Sequence, residues 1–113
     1  MRRRSRRYLA FRILTDTSLS SEKLSRQIDQ SMRKLFGEIG TLQAHVRLTR
    51  YNPTNMIGIL RCSATWVERV RAALALTTNM EGSRCAFHVL KSSGSIASLN
   101  RVIDLSDTRK EEN

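Results

Sequence analysis

The chain is predicted to fold as an α+β sandwich of the ferredoxin-like type, βαββαβ, with a four-stranded antiparallel sheet and an extra C-terminal helix. Three observations predict it. Three segments alternate apolar and polar residues with the period of a strand, and a fourth, Met56 to Cys62, is a compact apolar run. Two segments between them repeat apolar residues at helical spacing. They occur in the order strand, helix, strand, strand, helix, strand. A chain of 113 residues holds one such domain and has no room for a second. The domain is expected over residues 7–105, after a basic arm (1–6) and before an acidic tail (106–113).

Arg7 to Thr15 reads as the first strand, with Leu9, Phe11 and Ile13 on one face and Tyr8, Ala10, Arg12 and Leu14 on the other. A small polar stretch, Asp16 to Ser21, ends in a Ser-Ser-Glu helix start. Leu24, Ile28, Ser31/Met32 and Leu35 then recur at helical spacing, opposite Lys23, Arg26, Arg33 and Lys34, and Gly37 is the expected stop. Leu42, Ala44, Val46 and Leu48 alternate with Gln43, His45, Arg47 and Thr49, the pattern of a half-buried strand. Tyr51-Asn52-Pro53-Thr54-Asn55 is a turn, and Met56 to Cys62, with Gly58 inside it, is the returning strand of a hairpin.

Ser63 is placed to cap a second helix, with Val67, Val70, Leu74 and Thr77 on one face and Trp66 and Ala73 beside them. Asn79 to Gly82 breaks that pattern. Cys85, Phe87 and Val89 alternate with Ala86, His88 and Leu90 as the fourth strand. Ser92-Ser93-Gly94-Ser95 is a polar loop, and Ser95 is expected to cap a third helix carrying Ile96, Leu99, Val102 and Ile103. Right-handed crossovers put both main helices on one face of the sheet. The other face is left free, or partly covered by the last helix.

Charge narrows the function. There are 20 Lys+Arg against 10 Asp+Glu, a formal charge of +10. Through Ile103 the count is 18 basic against 6 acidic residues, because the last ten residues hold four acids and two bases. Sixteen of the basic residues are Arg, whose planar fork matches a phosphate bidentately, although a GC-rich genome produces the same bias. An apolar fraction of 40% is too high for a disordered basic tail. No apolar run approaches the roughly 20 residues of a membrane span, so no membrane partner is expected. The stretch after the Arg cluster is interrupted by Arg12 and has no small-residue cleavage site, so no secretory signal is expected. A mitochondrial presequence shares the Arg-rich, acid-poor composition, yet this stretch alternates like a strand. Cys62 and Cys85 lack metal-ligand spacing and fit small core hydrophobes in a reducing cytoplasm.

Side-chain catalysis is poorly provided for. His45 and His88 fall mid-strand with no acid near in sequence, and no carboxylates pair at helical or strand spacing. There is no nucleophile elbow and no Gly-rich phosphate loop. The fold has the plan of an RNA-recognition motif, but the strand from Asn55 to Cys62 lacks the aromatics on which such domains stack bases. Arginine contacts to the phosphates and 2′-hydroxyls of a folded RNA fit better. Three groups of residues are candidates. Arg2, Arg3, Arg4, Arg6 and Arg7 form an arm able to order on RNA, or merely to aid solubility. Arg12, Arg47, Arg50 and Arg61 are placed by the topology on neighbouring strands, as one basic patch or as an ordinary charged face. Lys91 and Ser95 flank a helix N-terminus suited to a phosphate, or to a plain cap.

Arg7-Tyr8-Leu9, Tyr51-Asn52-Pro53, Gly58-Ile59-Leu60-Arg61-Cys62, Val70-Arg71-Ala72-Ala73-Leu74 and Ser93-Gly94-Ser95-Ile96 together resemble the archaeal ribonuclease P protein component 2 family, relatives of a small subunit of eukaryotic RNase P and RNase MRP. The match spans about residues 7 to 103, and the Arg-rich leader departs from it. The resemblance implies an RNA-recognition-motif-like fold without the aromatic platform. It implies a non-catalytic subunit that supports the catalytic RNA in removing 5′ leaders from precursor tRNA. It implies a barrel-like protein partner, component 3, in a two-plus-two assembly. It also implies that the protein carries no cofactor and that Mg2+ is bound by the RNA. A different ribonucleoprotein or ribosomal protein of the same fold, or a small-ligand regulatory domain, is the alternative.

Overall fold

The computed structural model describes residues 5–102. It is a ferredoxin-like sandwich: β1 (Arg6–Thr15), α1 (Ser21–Ala44), β2 (Arg47–Asn52), β3 (Ile57–Ser63), a 3-10 turn (Ala64–Trp66), α2 (Val67–Leu76), β4 (Asn79–Met80) and β5 (Ser83–Ser93). Residues 96–102 are helical. The strands lie in the order β2-β3-β1-β5-β4, and all neighbours are antiparallel.

The alternation in β1 divides the molecule into two apolar layers. Leu9, Phe11 and Ile13 join Leu60, Cys62, Cys85 and Phe87 beneath Leu24, Ile28 and Met32 of α1 and Val70, Ala73 and Leu74 of α2. Ala10, Ile57 and Ile59 point the other way and are sealed by Leu99, with Tyr8 and Ile96 against them. The C-terminal helix therefore covers the middle of the second face. Burying one such aliphatic side chain contributes about 1.5–3 kcal/mol. Gly58 belongs to the first layer: a Cβ there would stand 2.8 Å from Phe11 Cζ and 3.0 Å from the Arg50 carbonyl oxygen.

Several boundaries differ from the sequence expectation. The Ser-Ser-Glu start holds, with Ser20 Oγ accepting from the Lys23 N–H at 3.2 Å. Gly37 kinks α1 rather than ending it: its φ of 73° lies in the left-handed region, and helix resumes as far as Ala44. Gly40 lets that second limb approach Trp66, where a Cβ would meet the indole at 3.1 Å. The expected strand from Leu42 is thus helix up to Ala44, and His45 is the left-handed C-cap (φ 51°), not a mid-strand residue. β2 starts at Arg47.

Ser63 Oγ makes no helix cap; it donates to the Gln43 carbonyl at 3.2 Å and ties β3 to the end of α1. Asn79 to Gly82 is not a mere break. Glu81 (φ 53°) and Gly82 (φ 85°) form a two-residue mirror-image turn, which adds β4 to the predicted four strands. Met56, with φ 57°, belongs to the hairpin turn and not to β3. Before the last helix, Ser93 Oγ accepts from the Ser95 N–H at 3.1 Å and from the Ser98 hydroxyl at 2.7 Å, which fixes the turn into the helix.

Both cysteines are free and buried. Burial pushes the Cys62 thiol up to about 11, against a smaller downward pull from Arg7. Burial also raises Cys85. A neutral Cys62 thiol in the fold means that the unfolded chain loses its proton first as pH rises. Its stabilising effect is therefore complete below about pH 9 and is lost as the pH climbs toward 11. Urea midpoints measured from pH 8 to 10.5 are expected to fall. In Cys62→Ala the fall should be shallower, by a margin on the order of 2 kcal/mol at 1.36 kcal/mol per pKa unit.

Candidate nucleic-acid interface

None of the five strands contains Asp or Glu. The carboxylates among the described residues are Asp16, Glu22, Asp29, Glu38, Glu68 and Glu81, all on helices, a loop or the β4–β5 turn. The ion pairs among the described residues stand there too: Lys23 with Glu81 at 3.9 Å, and Arg33 with Asp29 at 2.8 Å and with Glu38. In the strand ladders no carboxylate stands opposite a cation of the sheet among the described residues.

The ladder registers show where those cations sit. On the second face, Arg47, Arg61, Tyr8 and Ser93 form one row across β2, β3, β1 and β5. Arg50, Ile59, Ala10 and Lys91 form the next row, and Asn52, Ile57, Arg12 and His88 the one after. Two bulges produce this arrangement. In a regular strand Arg47 and Arg50, three apart, would face opposite ways. The register shifts between Leu48 and Arg50, and Thr49 Oγ1 donates to the Ile59 carbonyl at 3.0 Å. Both arginines thereby reach one face while Leu48 and Tyr51 stay in the first core. The second shift, opposite Ala10/Phe11, leaves Leu90 as the extra residue and turns Lys91 onto the same face.

The expected patch of Arg12, Arg47, Arg50 and Arg61 does lie on one face, but its members do different things. Arg50 Nη1 donates to Asn100 Oδ1 at 2.7 Å and so ties β2 to the C-terminal helix. Arg12 is exposed and lies two rows from Arg61, about 13 Å along the strand direction. Arg61 is half-buried and Arg47 exposed, directly opposite each other.

Arg7 lies on the other face: it pairs opposite Cys62, and its Nη2 donates to Ser92 Oγ at 3.1 Å, fixing the end of β5. Arg6 is the first residue of β1, exposed and opposite Ser63. Lys91 is exposed on β5, opposite Ala10, and Ser95 is exposed immediately before the C-terminal helix. Arg2, Arg3 and Arg4 lie outside the described residues, as does the acidic tail. The role of Asn100 was not legible in the sequence; an Asn on a short helix has no signal until the bulge aims Arg50 at it.

Other chemistry is sparse. Among the described residues no three or more of His, Cys, Asp and Glu gather where they could hold one metal ion. Among the same residues no helix is long and apolar enough to cross a membrane. A cleft of about 450 Å³ opens between α1 and β2, with Ile28, Met32, Leu48 and Leu60 in its wall and Leu42 at its rim. Leu42 and Ile39, on the second limb of α1, are 68% and 73% exposed.

Comparison with known proteins agrees with this geometry. The family model of the Rpp14/Pop5 family matches residues 7–103. Ribonuclease P protein component 2 of Pyrococcus abyssi is 34% identical over 95 residues, which cover 84% of this chain and 80% of that protein. The protein of the same name from Methanosarcina mazei is 33% identical over 94 residues, covering 83% and 79%. A chain in the cryo-EM structure of yeast ribonuclease MRP superposes with a TM-score of 0.69 over 100% of this chain and 99% of that one; at 10% identity this likeness is one of fold. The chain belongs to the Rpp14/Pop5 family.

Proposed function

We propose that this chain is a protein subunit of ribonuclease P that binds the catalytic RNA and supports 5′-leader removal from precursor tRNA. The observation that carries the reading is the segregation of charge: a sheet face rich in arginine, without a carboxylate in any strand, in a member of the Rpp14/Pop5 family. Such a face offsets phosphate repulsion when an RNA folds or docks its substrate. It reads backbone and shape rather than sequence. The positions where an RNA-recognition motif would stack bases are the aliphatic Ala10, Ile57 and Ile59, covered by Leu99. Arg2, Arg3 and Arg4 add charge to the sequence that precedes β1. Bond breaking is left to the RNA and the Mg2+ it binds, in the cytoplasm.

The protein partner in this reading is the barrel-like component 3, in a two-plus-two assembly. The exposed Ile39 and Leu42 beside the α1–β2 cleft are the apolar surface reserved for protein contact.

Reconstitution tests the proposal. The catalytic RNA and component 3 are mixed with and without this chain, and cleavage of precursor tRNA is measured at low magnesium. The chain is expected to raise the rate and to lower the magnesium requirement. No gain at any magnesium concentration would sink the assignment.

A further inference from the structure

We propose that Arg47 and Arg61 form a two-armed fork that takes one phosphate group between them. The inference deepens the RNA-binding reading, because it names which cations meet a phosphate. The two residues are direct cross-strand partners on the second face. Leu48 turns into the helix-covered core on β2, and Leu60 and Cys62 do the same on β3, so both arginines point the other way. Directly opposed side chains have Cβ atoms about 4.5–5.5 Å apart, and like charges so placed destabilise a ladder. Among the described residues no ion pair relieves them, for the ion pairs there all involve α1.

Of the neighbouring cations, the exposed Arg6 stands opposite Ser63 at the start of β1, and the others are differently employed. Arg50 is hydrogen-bonded to Asn100, Arg7 to Ser92, and Arg12 faces Ile57 and His88 two rows away. The Thr49 bulge sets Arg47 and Arg50 on a common face and leaves Arg47 opposite Arg61. The repulsion between guanidinium groups held this way is offset once the anionic oxygens of a phosphate sit between them and accept N–H bonds from both arms. The chemical class is a phosphate, either in an RNA backbone or as the free ion.

The test has two arms. In the first, inorganic phosphate is titrated against the thermal midpoint of the whole chain, with ionic strength held constant by chloride. Phosphate is expected to raise the midpoint of the wild type and of Arg12→Ala, and to have no effect beyond chloride on Arg47→Ala. Without phosphate and at low salt, Arg47→Ala is expected to melt at or above the wild-type temperature, because repulsion is relieved. Arg61→Lys keeps the charge and stem of the half-buried residue and guards against misfolding of Arg61→Ala; it should lose most of the phosphate effect. In the second arm, binding of ribonuclease P RNA is measured against salt.

Arg47→Ala should weaken RNA binding on the order of tenfold and reduce the salt slope by about 0.7–0.9, whereas Arg61→Lys, which keeps its charge, should weaken binding with a smaller change of slope. The double variant should lose less than the two separate losses combined, since one phosphate is shared. Equal stabilisation of all variants by phosphate, or RNA losses that simply add, overturns the fork. If the fork behaves as expected while reconstituted cleavage shows no gain, the phosphate site stands and the ribonuclease P assignment fails. If cleavage is stimulated equally by wild type and Arg47→Ala, the fork fails alone.

Discussion

Phe11→Ala is expected to lower the stability of the domain by about 3–5 kcal/mol, a large share of the roughly 5–15 kcal/mol that hold a small domain together. The ring is fully buried at the crossing of β1, β3 and β5. It packs on Phe87 with centroids 5.6 Å apart and planes tilted by 40°. On its other side it fills the space that Gly58 leaves by having no side chain. Truncation leaves a cavity walled by three strands, whose hydrogen-bonded ladders cannot collapse into it. Urea denaturation should show a lower midpoint with an unchanged slope.

The partner test is Gly58→Ala, which destabilises the wild type because its Cβ meets the Phe11 ring and the Arg50 carbonyl. In a Phe11→Leu background the cost should shrink but not vanish, since the carbonyl contact remains. A cost identical in both backgrounds would show that ring and glycine are not coupled.

That contact also marks what the sequence could and could not carry. The alternation in β5 was legible because Cys85 and Phe87 enter the helix-covered core while His88 and Lys91 face away from it; β1 and β3 have a face in each apolar layer, and β3 was legible as a compact apolar run rather than by its period. The topology followed from the order of elements and from the handedness of crossovers. The stretch from Gly37 to Leu48 misled for a physical reason. Leu42, Ala44, Val46 and Leu48 satisfy a strand's period, yet Gly40 and Ala44, four apart, are the buried pair of a helix. Glycine hides this, because it contributes no hydrophobic signal while its missing Cβ makes room for Trp66. Likewise, Glu81-Gly82 announced a turn but not the two-residue β4 that the turn creates.

For the interface, residue type was legible and geometry was not. Arginines on neighbouring strands suggest a patch, but strict alternation would have separated Arg47 from Arg50. The bulge at Thr49 changes the side on which a residue falls, and no local composition forecasts it. The same bulge sorts the arginines: one is spent on Asn100, and one is left facing Arg61. Arg7 was grouped with the arm by its position in the sequence, yet its place in the ladder makes it a strut for Ser92.

Leu99→Ala carries the second large effect, about 2–5 kcal/mol. The described part of the C-terminal helix, residues 96–102, spans two turns, too few to be stable alone. What holds it is Leu99 seated on Ala10, Ile57 and Ile59, helped by Ile96 and by the Arg50–Asn100 hydrogen bond. Undocking would expose Ile57, Ile59 and Ile96, at about 1.5–3 kcal/mol for each fully exposed side chain, which exceeds the cost of a cavity left beneath a docked helix. The helix is therefore expected to stay in place over a void, with the global urea midpoint lowered and the amides of β1 and β3 still the slowest to exchange. The RNA salt slope should not change, because Arg47 and Arg61 are held by the β2–β3 ladder and not by the helix. A variant that kept wild-type stability would mean that the aliphatic floor is not what retains the helix. A steeper salt slope would mean that the helix and the RNA compete for Arg50.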